Sequence, residues 1–150
     1  MKVKIRLSPE YRPPFAVICA DAVTEEVRRA EELLAGETLP LMVRSEDQSV
    51  VLRPEEVCLV RVEDGRTAVY TKAGRFDSER RLYEWLEQLD ERFVRISKQA
   101  VVNRRMIRSF QAGLSGALRM TLKNGMEEYV SRKYLPQLKA SLGVKKGGRL

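Results

Sequence analysis

The chain has 150 residues, 43% of them hydrophobic and 33% charged, with no histidine and a formal charge of +7. That length suits one large domain or two small ones, able to bury roughly 70% of the unfolded surface, and the composition argues against disorder except at the ends. Without histidine the usual general base, the Ser–His and Cys–His nucleophile pairs and the commonest zinc ligand are all missing, so an enzyme is not expected and neither a metal nor a cofactor is implied.

The charge is unevenly placed. Residues 92–150 carry fourteen Lys or Arg against two acids, Glu127 and Glu128, whereas residues 1–91 carry fourteen basic residues against nineteen acids. The +7 therefore divides into −5 and +12. A polyanion would be drawn to the second half and mildly repelled by the first. Charge alone leaves three readings open: nucleic acid, a merely solvated surface, and an anionic lipid or acidic protein. The longest apolar stretch, Phe15 to Ala20, has six residues, where a membrane-spanning helix needs about twenty. The alternating start, Lys2-Val-Lys-Ile-Arg6, lacks the apolar core of a signal peptide. A cytoplasmic location is expected.

In chain order, Lys2 to Leu7 alternates with Val3, Ile5 and Leu7 on one face, which predicts a half-buried strand. Ser8 to Pro14 interrupts it, and Phe15 to Ala20 predicts a short buried strand. Cys19 and Cys58 each lie in an apolar run without metal-ligand spacing, which points to buried, reduced thiols. Val23, Val27, Ala30 and Leu34 recur at helical spacing, with charges on the remaining faces. Asp21 or Thr24 can cap this helix and Gly36 can stop it. Leu41 to Arg44 predicts another strand, and the polar run Ser45 to Ser49 marks a candidate boundary.

From Val57 the pattern turns β-rich. Val60 and Val62, then Asp64-Gly65, then Thr67, Val69 and Thr71 predict a hairpin about a favoured two-residue turn. Ala73-Gly74 turns the chain again. Leu82, Trp85, Leu86 and Leu89 form a second helical stripe, starting near Ser78, with Trp85 as a core anchor. Strands are predicted at Phe93–Ile96, Ala100–Val102 and Met106–Gln111, with a turn at Asn103-Arg-Arg fixed by the Asn103 amide. A loop follows at Gly113–Gly116, then a hairpin closing at Asn124-Gly125. Pro136 would cost a backbone bond inside a continuous helix. An irregular turn at 131–134 is therefore expected before a short helix that buries Leu135, Leu138 and Leu142 and stops at Gly143. The basic tail 144–150 is expected to fray.

Three segments, in this order and spacing, resemble the LytTR family of bacterial DNA-binding domains: Phe93-Val-Arg-Ile-Ser-Lys-Gln-Ala-Val-Val-Asn103, Leu122-Lys-Asn-Gly125 and Tyr129-Val-Ser-Arg-Lys-Tyr-Leu135. The resemblance covers roughly residues 50–143, and the chain is similar to short stand-alone members without a receiver domain. It implies an α+β fold, a mostly antiparallel β domain over 45–143 with short helices. A small strand-strand-helix-strand segment over 1–44 would precede it, for dimerisation or docking. It also implies loops that enter the major groove of double-stranded DNA, pairing of copies as a homodimer on repeated sites, and control of transcription. Stand-alone relatives also suggest a small membrane-protein regulator as a partner. No small-molecule substrate is implied.

By the same resemblance, Arg132 at the Ser-Arg turn would reach a guanine edge and Lys133 a phosphate. Lys98 would occupy a second reading position, flanked by Ser97 and Gln99. Arg66, beside Gly65 in the first hairpin, would be a third. Arg95 reads equally as a phosphate clamp or an exposed strand residue. Arg104, Arg105 and Arg108 would add diffuse attraction, while Glu127 and Glu128 would lie on an edge away from the polyanion. Two other classes stay open. One is a non-specific or RNA-binding module, although Phe93, Phe110, Tyr129 and Tyr134 mostly look inward. The other is an adaptor docked through its first 44 residues.

Overall fold

The run Val57-Cys-Leu-Val60 is too apolar for a strand with one wet face. All four residues are buried, because the strand that contains them has protein on both sides. The structure, a computed structural model, describes residues 1–12, 14–35, 40–113, 116–145 and 147–150. It divides into two compact units, Met1–Thr38 and Leu39–Leu150.

The second unit contains β1 (Leu41–Ser45), β2 (Gln48–Leu52), β3 (Val57–Glu63), β4 (Arg66–Thr71), β5 (Arg75–Ser78), α2 (Leu82–Gln88), β6 (Phe93–Ser97), β7 (Ala100–Asn103), β8 (Ile107–Ala112), β9 (Leu118–Leu122), β10 (Glu127–Val130) and α3 (Leu135–Ser141). The label α1 is kept for Glu25–Ala35 of the first unit. Seven strands form one sheet in the order β2-β1-β5-β4-β3-β7-β6, and three form another in the order β10-β9-β8. The pairings are antiparallel. The α+β, mostly antiparallel expectation is met.

Two apolar clusters sit on opposite faces of the larger sheet. Val57, Val60, Val69 and Val101 pack with Leu82 and Trp85 of α2. Cys58, Leu59, Ala100 and Val102 pack with Met120 and Leu122 of β9 and Leu138 of α3. A register shift between Val57 and Leu59 puts Cys58 and Leu59 in the same cluster despite being neighbours, as a bulge does. Trp85 is 1% exposed, and its indole Nε1–H donates to the Ser78 hydroxyl at 2.9 Å. Ser78 is therefore the last residue of β5 and a partner for Trp85, and α2 begins at Leu82 rather than near Ser78.

The predicted turns are sharp and local. Asp64 and Gly65 have φ of +48° and +76°, as a primed hairpin turn requires. At the β9–β10 turn only Gly125 is left-handed, and the Asn124 Oδ1 accepts from the Met126 amide at 3.1 Å. The polar run at 45–49, expected to be a boundary, contains the turn of a hairpin in which Ser45 pairs with Gln48. The strand at 41–45 thus belongs to the sheet that follows it. Gly143, at φ +75°, stands just past α3, as expected.

The first unit departs from expectation. Residues 2–7 and 15–20 form no strand, and Val3, Ile5 and Leu7 are 82%, 83% and 92% exposed. Alternation creates a face but not a partner, and the prolines at 9, 13 and 14 supply no N–H for pairing. Cys19 is consequently exposed, while Cys58 is buried and its thiol is pushed up by that burial, partly offset by Lys72. α1 forms as predicted and Thr24 caps it, its hydroxyl accepting from the Val27 amide at 3.3 Å. Its predicted stop, Gly36, lies outside the described residues, as do Leu114 and Ser115 of the predicted 113–116 loop and Lys146 of the tail.

Candidate nucleic-acid interface

The β6–β7 turn is built by side chains as much as by backbone. The Ser97 hydroxyl accepts from the Gln99 amide at 3.2 Å. Arg95, half-buried on β6, reaches over the turn: its Nε donates to the Ser97 carbonyl at 3.1 Å and its Nη2 to the Lys98 carbonyl at 2.6 Å. Lys98 and Gln99 are left exposed at the tip. The Gln99 carbonyl accepts from the Val62 amide at 2.8 Å, so this tip lies beside the end of β3, next to the Asp64-Gly65 turn. Arg66 begins β4 there and is exposed.

The third predicted segment joins the same end. The Ser131 amide donates to the Ile96 carbonyl at 2.8 Å, and Ser131 in turn accepts from Tyr134 at 3.0 Å and Leu135 at 3.1 Å. An irregular turn over 131–134 therefore precedes α3, as Pro136 demanded. Successive Cα atoms are 3.8 Å apart, so the Ser131–Ile96 bond keeps the Cα atoms of Lys98 and Arg132 within about 16 Å of each other. Two cations approach the Tyr134 ring: the Arg95 guanidinium is 5.4 Å from its centroid and the Lys133 ammonium 5.6 Å. Arg132 extends toward the β8–β9 loop, where a Cβ added at Gly116 would sit 3.1 Å from its Nη2.

Arg66, Arg95 and Lys98 also line one open groove of about 820 Å³, together with Arg44, Arg80 and Arg81. Glu46, Asp77 and Glu79 stand among them, so the lining is cationic by six to three. Arg44, Arg80 and Arg81 could not be read from the sequence as lining this groove, because they fall in the acidic part of the sequence. Only the β1–β5 and β4–β5 pairings, with Arg44 opposite Asp77 and Thr67 opposite Ser78, bring them beside β4.

Arg104 and Arg105 are placed elsewhere. They follow β7, so that the four residues of that strand lie between them and the turn that presents Lys98. The Arg104 Nη1 donates to the Ser141 carbonyl at 2.7 Å, satisfying the end of α3. Arg105 follows Asn103, whose amide does what was expected: buried, it accepts from the Arg105 backbone at 3.1 Å and donates to the Val57 carbonyl at 3.0 Å.

The acids of the basic half are paired. Glu128 meets Arg61 at 2.6 Å, and Glu127 meets Arg119 at 3.6 Å. Burial alone would raise the Glu63 carboxyl, but hydrogen bonds from Tyr70 and Arg61 hold it below its ordinary value. Among the four aromatics of this half, Phe93 is buried, Phe110 and Tyr134 are half-buried and Tyr129 is exposed. Among the described residues no group of three or more Cys, Asp or Glu could hold a metal, and no helix is long and apolar enough to cross a membrane.

Comparison with known proteins agrees with this architecture. The chain is 32% identical over 94 residues to uncharacterized HTH-type transcriptional regulators of Staphylococcus aureus, among them those of strains RF122 and NCTC 8325. The match covers 63% of this chain and 64% of each relative, so the chain spans under two-thirds of the length of those relatives. Among the described residues, however, strands separate the three helices, and no helix-turn-helix is formed. The fold is similar to that of the LytTr DNA-binding domain of a methyl-accepting/DNA response regulator from Bacillus cereus, with a TM-score of 0.64 and 19% identity over 69% of this chain and 96% of that one. The family model of the LytTr DNA-binding domain matches residues 47–143, about two-thirds of the sequence, and the chain belongs to that family.

Proposed function

We propose that the chain binds double-stranded DNA with sequence preference and regulates transcription. In this reading the Lys98 tip and the Ser131–Tyr134 turn enter the major groove. The observation that carries it is the Ser131–Ile96 hydrogen bond, which holds the two turns at one end of the fold. A separation within about 16 Å suits a major groove about 12 Å wide. Arg132 is the candidate for reading a guanine edge, Lys98 and Gln99 for a second base position. Lys133, Arg66, Arg44, Arg80 and Arg81 are candidates for phosphates. The regulator names of the Staphylococcus relatives support the transcriptional role.

The test is a competition among duplex DNA, hairpin RNA and single strands at moderate ionic strength. Duplex DNA should win. Preferential binding of RNA or single strands, with Tyr129→Ala weakening it, would favour a stacking platform instead.

Residues 1–38 are proposed to serve pairing of two copies or docking of a partner such as a small membrane protein. Exposed Val3, Ile5, Leu7, Phe15 and Val17 support that reading. Solution mass of the full chain and of an Ile5→Lys, Phe15→Lys variant separates the two. A dimer lost in the variant supports self-pairing, and a wild-type monomer leaves docking of a partner as the role.

A further inference from the structure

We propose that Arg95 is a positioning residue that fixes the two DNA-reading turns relative to one another, rather than a phosphate clamp. This rests on the DNA-reading assignment above. Its guanidinium makes three contacts at once. Two are the hydrogen bonds to the Ser97 and Lys98 carbonyls at 3.1 and 2.6 Å, both within the turn that presents Lys98. The third is the Tyr134 ring, 5.4 Å away, which belongs to the turn that presents Arg132 and Lys133.

The location explains the need. The β6–β7 ladder changes register between Arg95 and Ser97, so regular strand pairing is interrupted where the turn begins. Ser97 supplies one local bond, to the Gln99 amide. Arg95 adds two more, to the Ser97 and Lys98 carbonyls, and its guanidinium also reaches the second turn through the Tyr134 ring, beside the Ser131–Ile96 backbone bond. A planar guanidinium can donate through a fixed fork while stacking on a ring. An ammonium on a flexible stem keeps the charge but loses that geometry. A phosphate clamp needs chiefly the charge; a turn staple needs the plane.

Arg95→Lys separates the two roles. Hydrogen exchange at the Gln99 and Val62 amides of the free protein should speed up about tenfold, while the Val69 amide in the core stays as in wild type. The ratio of affinity for a preferred duplex over a random one should fall about tenfold, with the salt slope unchanged because the charge is kept. Tyr134→Leu, which leaves both carbonyl bonds possible, should cost part of that ratio and spare Gln99 exchange. Wild-type exchange and discrimination in Arg95→Lys would overturn the proposal. So would Arg95→Ala weakening all duplexes equally while Arg95→Lys restores them. A wild-type protein with no preference among duplexes would instead overturn the DNA-reading assignment, and the role of Arg95 with it.

Discussion

The Arg104 guanidinium donates to the Ser141 carbonyl at 2.7 Å, so a cation that charge alone would assign to DNA closes the last turn of α3. Cations near a helix C-terminus also complement its dipole. Arg104→Ala should therefore destabilise the fold by about 1 kcal/mol. Its salt slope and sequence preference on DNA should stay those of wild type. Thermal unfolding and a salt titration measure the two separately, and a lower salt slope with wild-type stability would reverse the assignment.

Arg132 and Lys133 are neighbours with different expected signatures. Arg132→Ala should weaken the preferred duplex by about 1–3 kcal/mol and blur one or two base positions. Lys133→Ala should weaken all duplexes alike and reduce the salt slope by about one unit. Binding isotherms on preferred and scrambled duplexes at several salt concentrations distinguish the two patterns.

Trp85 anchors α2 to the larger sheet and is paired with Ser78 at 2.9 Å. Trp85→Ala should cost about 3–5 kcal/mol through the cavity it leaves. Ser78→Ala leaves the buried indole N–H without its partner and should cost about 1–3 kcal/mol. Denaturant melts of the two variants check both the size and the order.

Asp90 gives a pH dependence. Its carboxyl is held below the ordinary range chiefly by hydrogen bonds from the Arg92 guanidinium, against some burial, with help from the Arg92 backbone amide at 2.9 Å. A carboxyl lowered in the folded state contributes stability that is complete above its unfolded value, near pH 4. That contribution is lost as pH falls through the lower folded value. Wild type should therefore be more stable than Asp90→Asn at neutral pH, with the gap closing on acidification below about pH 4. A gap constant down to pH 2 would contradict this.

Much of the second unit was legible because its signals are local. Asp64-Gly65 dictates a primed turn, Pro136 forbids one continuous helix from 131, and the Trp85 stripe has a single period. The first unit was misread at Val3, Ile5 and Leu7, where alternation gave a face but nothing in the sequence supplies a strand to pair with it. The proposed site could be read from the sequence where a turn carries its own cations, as at Lys98 and Arg132. It was not legible where the decisive partner is remote in sequence. Arg104 finds Ser141 thirty-seven residues away, and Arg44 reaches the groove only because β1 lies beside β5.

The most direct measurement is selection of bound duplexes from a random library by the full chain at moderate ionic strength, repeated with Lys98→Ala and Arg132→Ala. Wild type should enrich a defined motif, and each variant should lose information at its own, different base positions within that motif. Enrichment of no motif, or a motif read identically by all three proteins, would contradict the reading of DNA by these two turns.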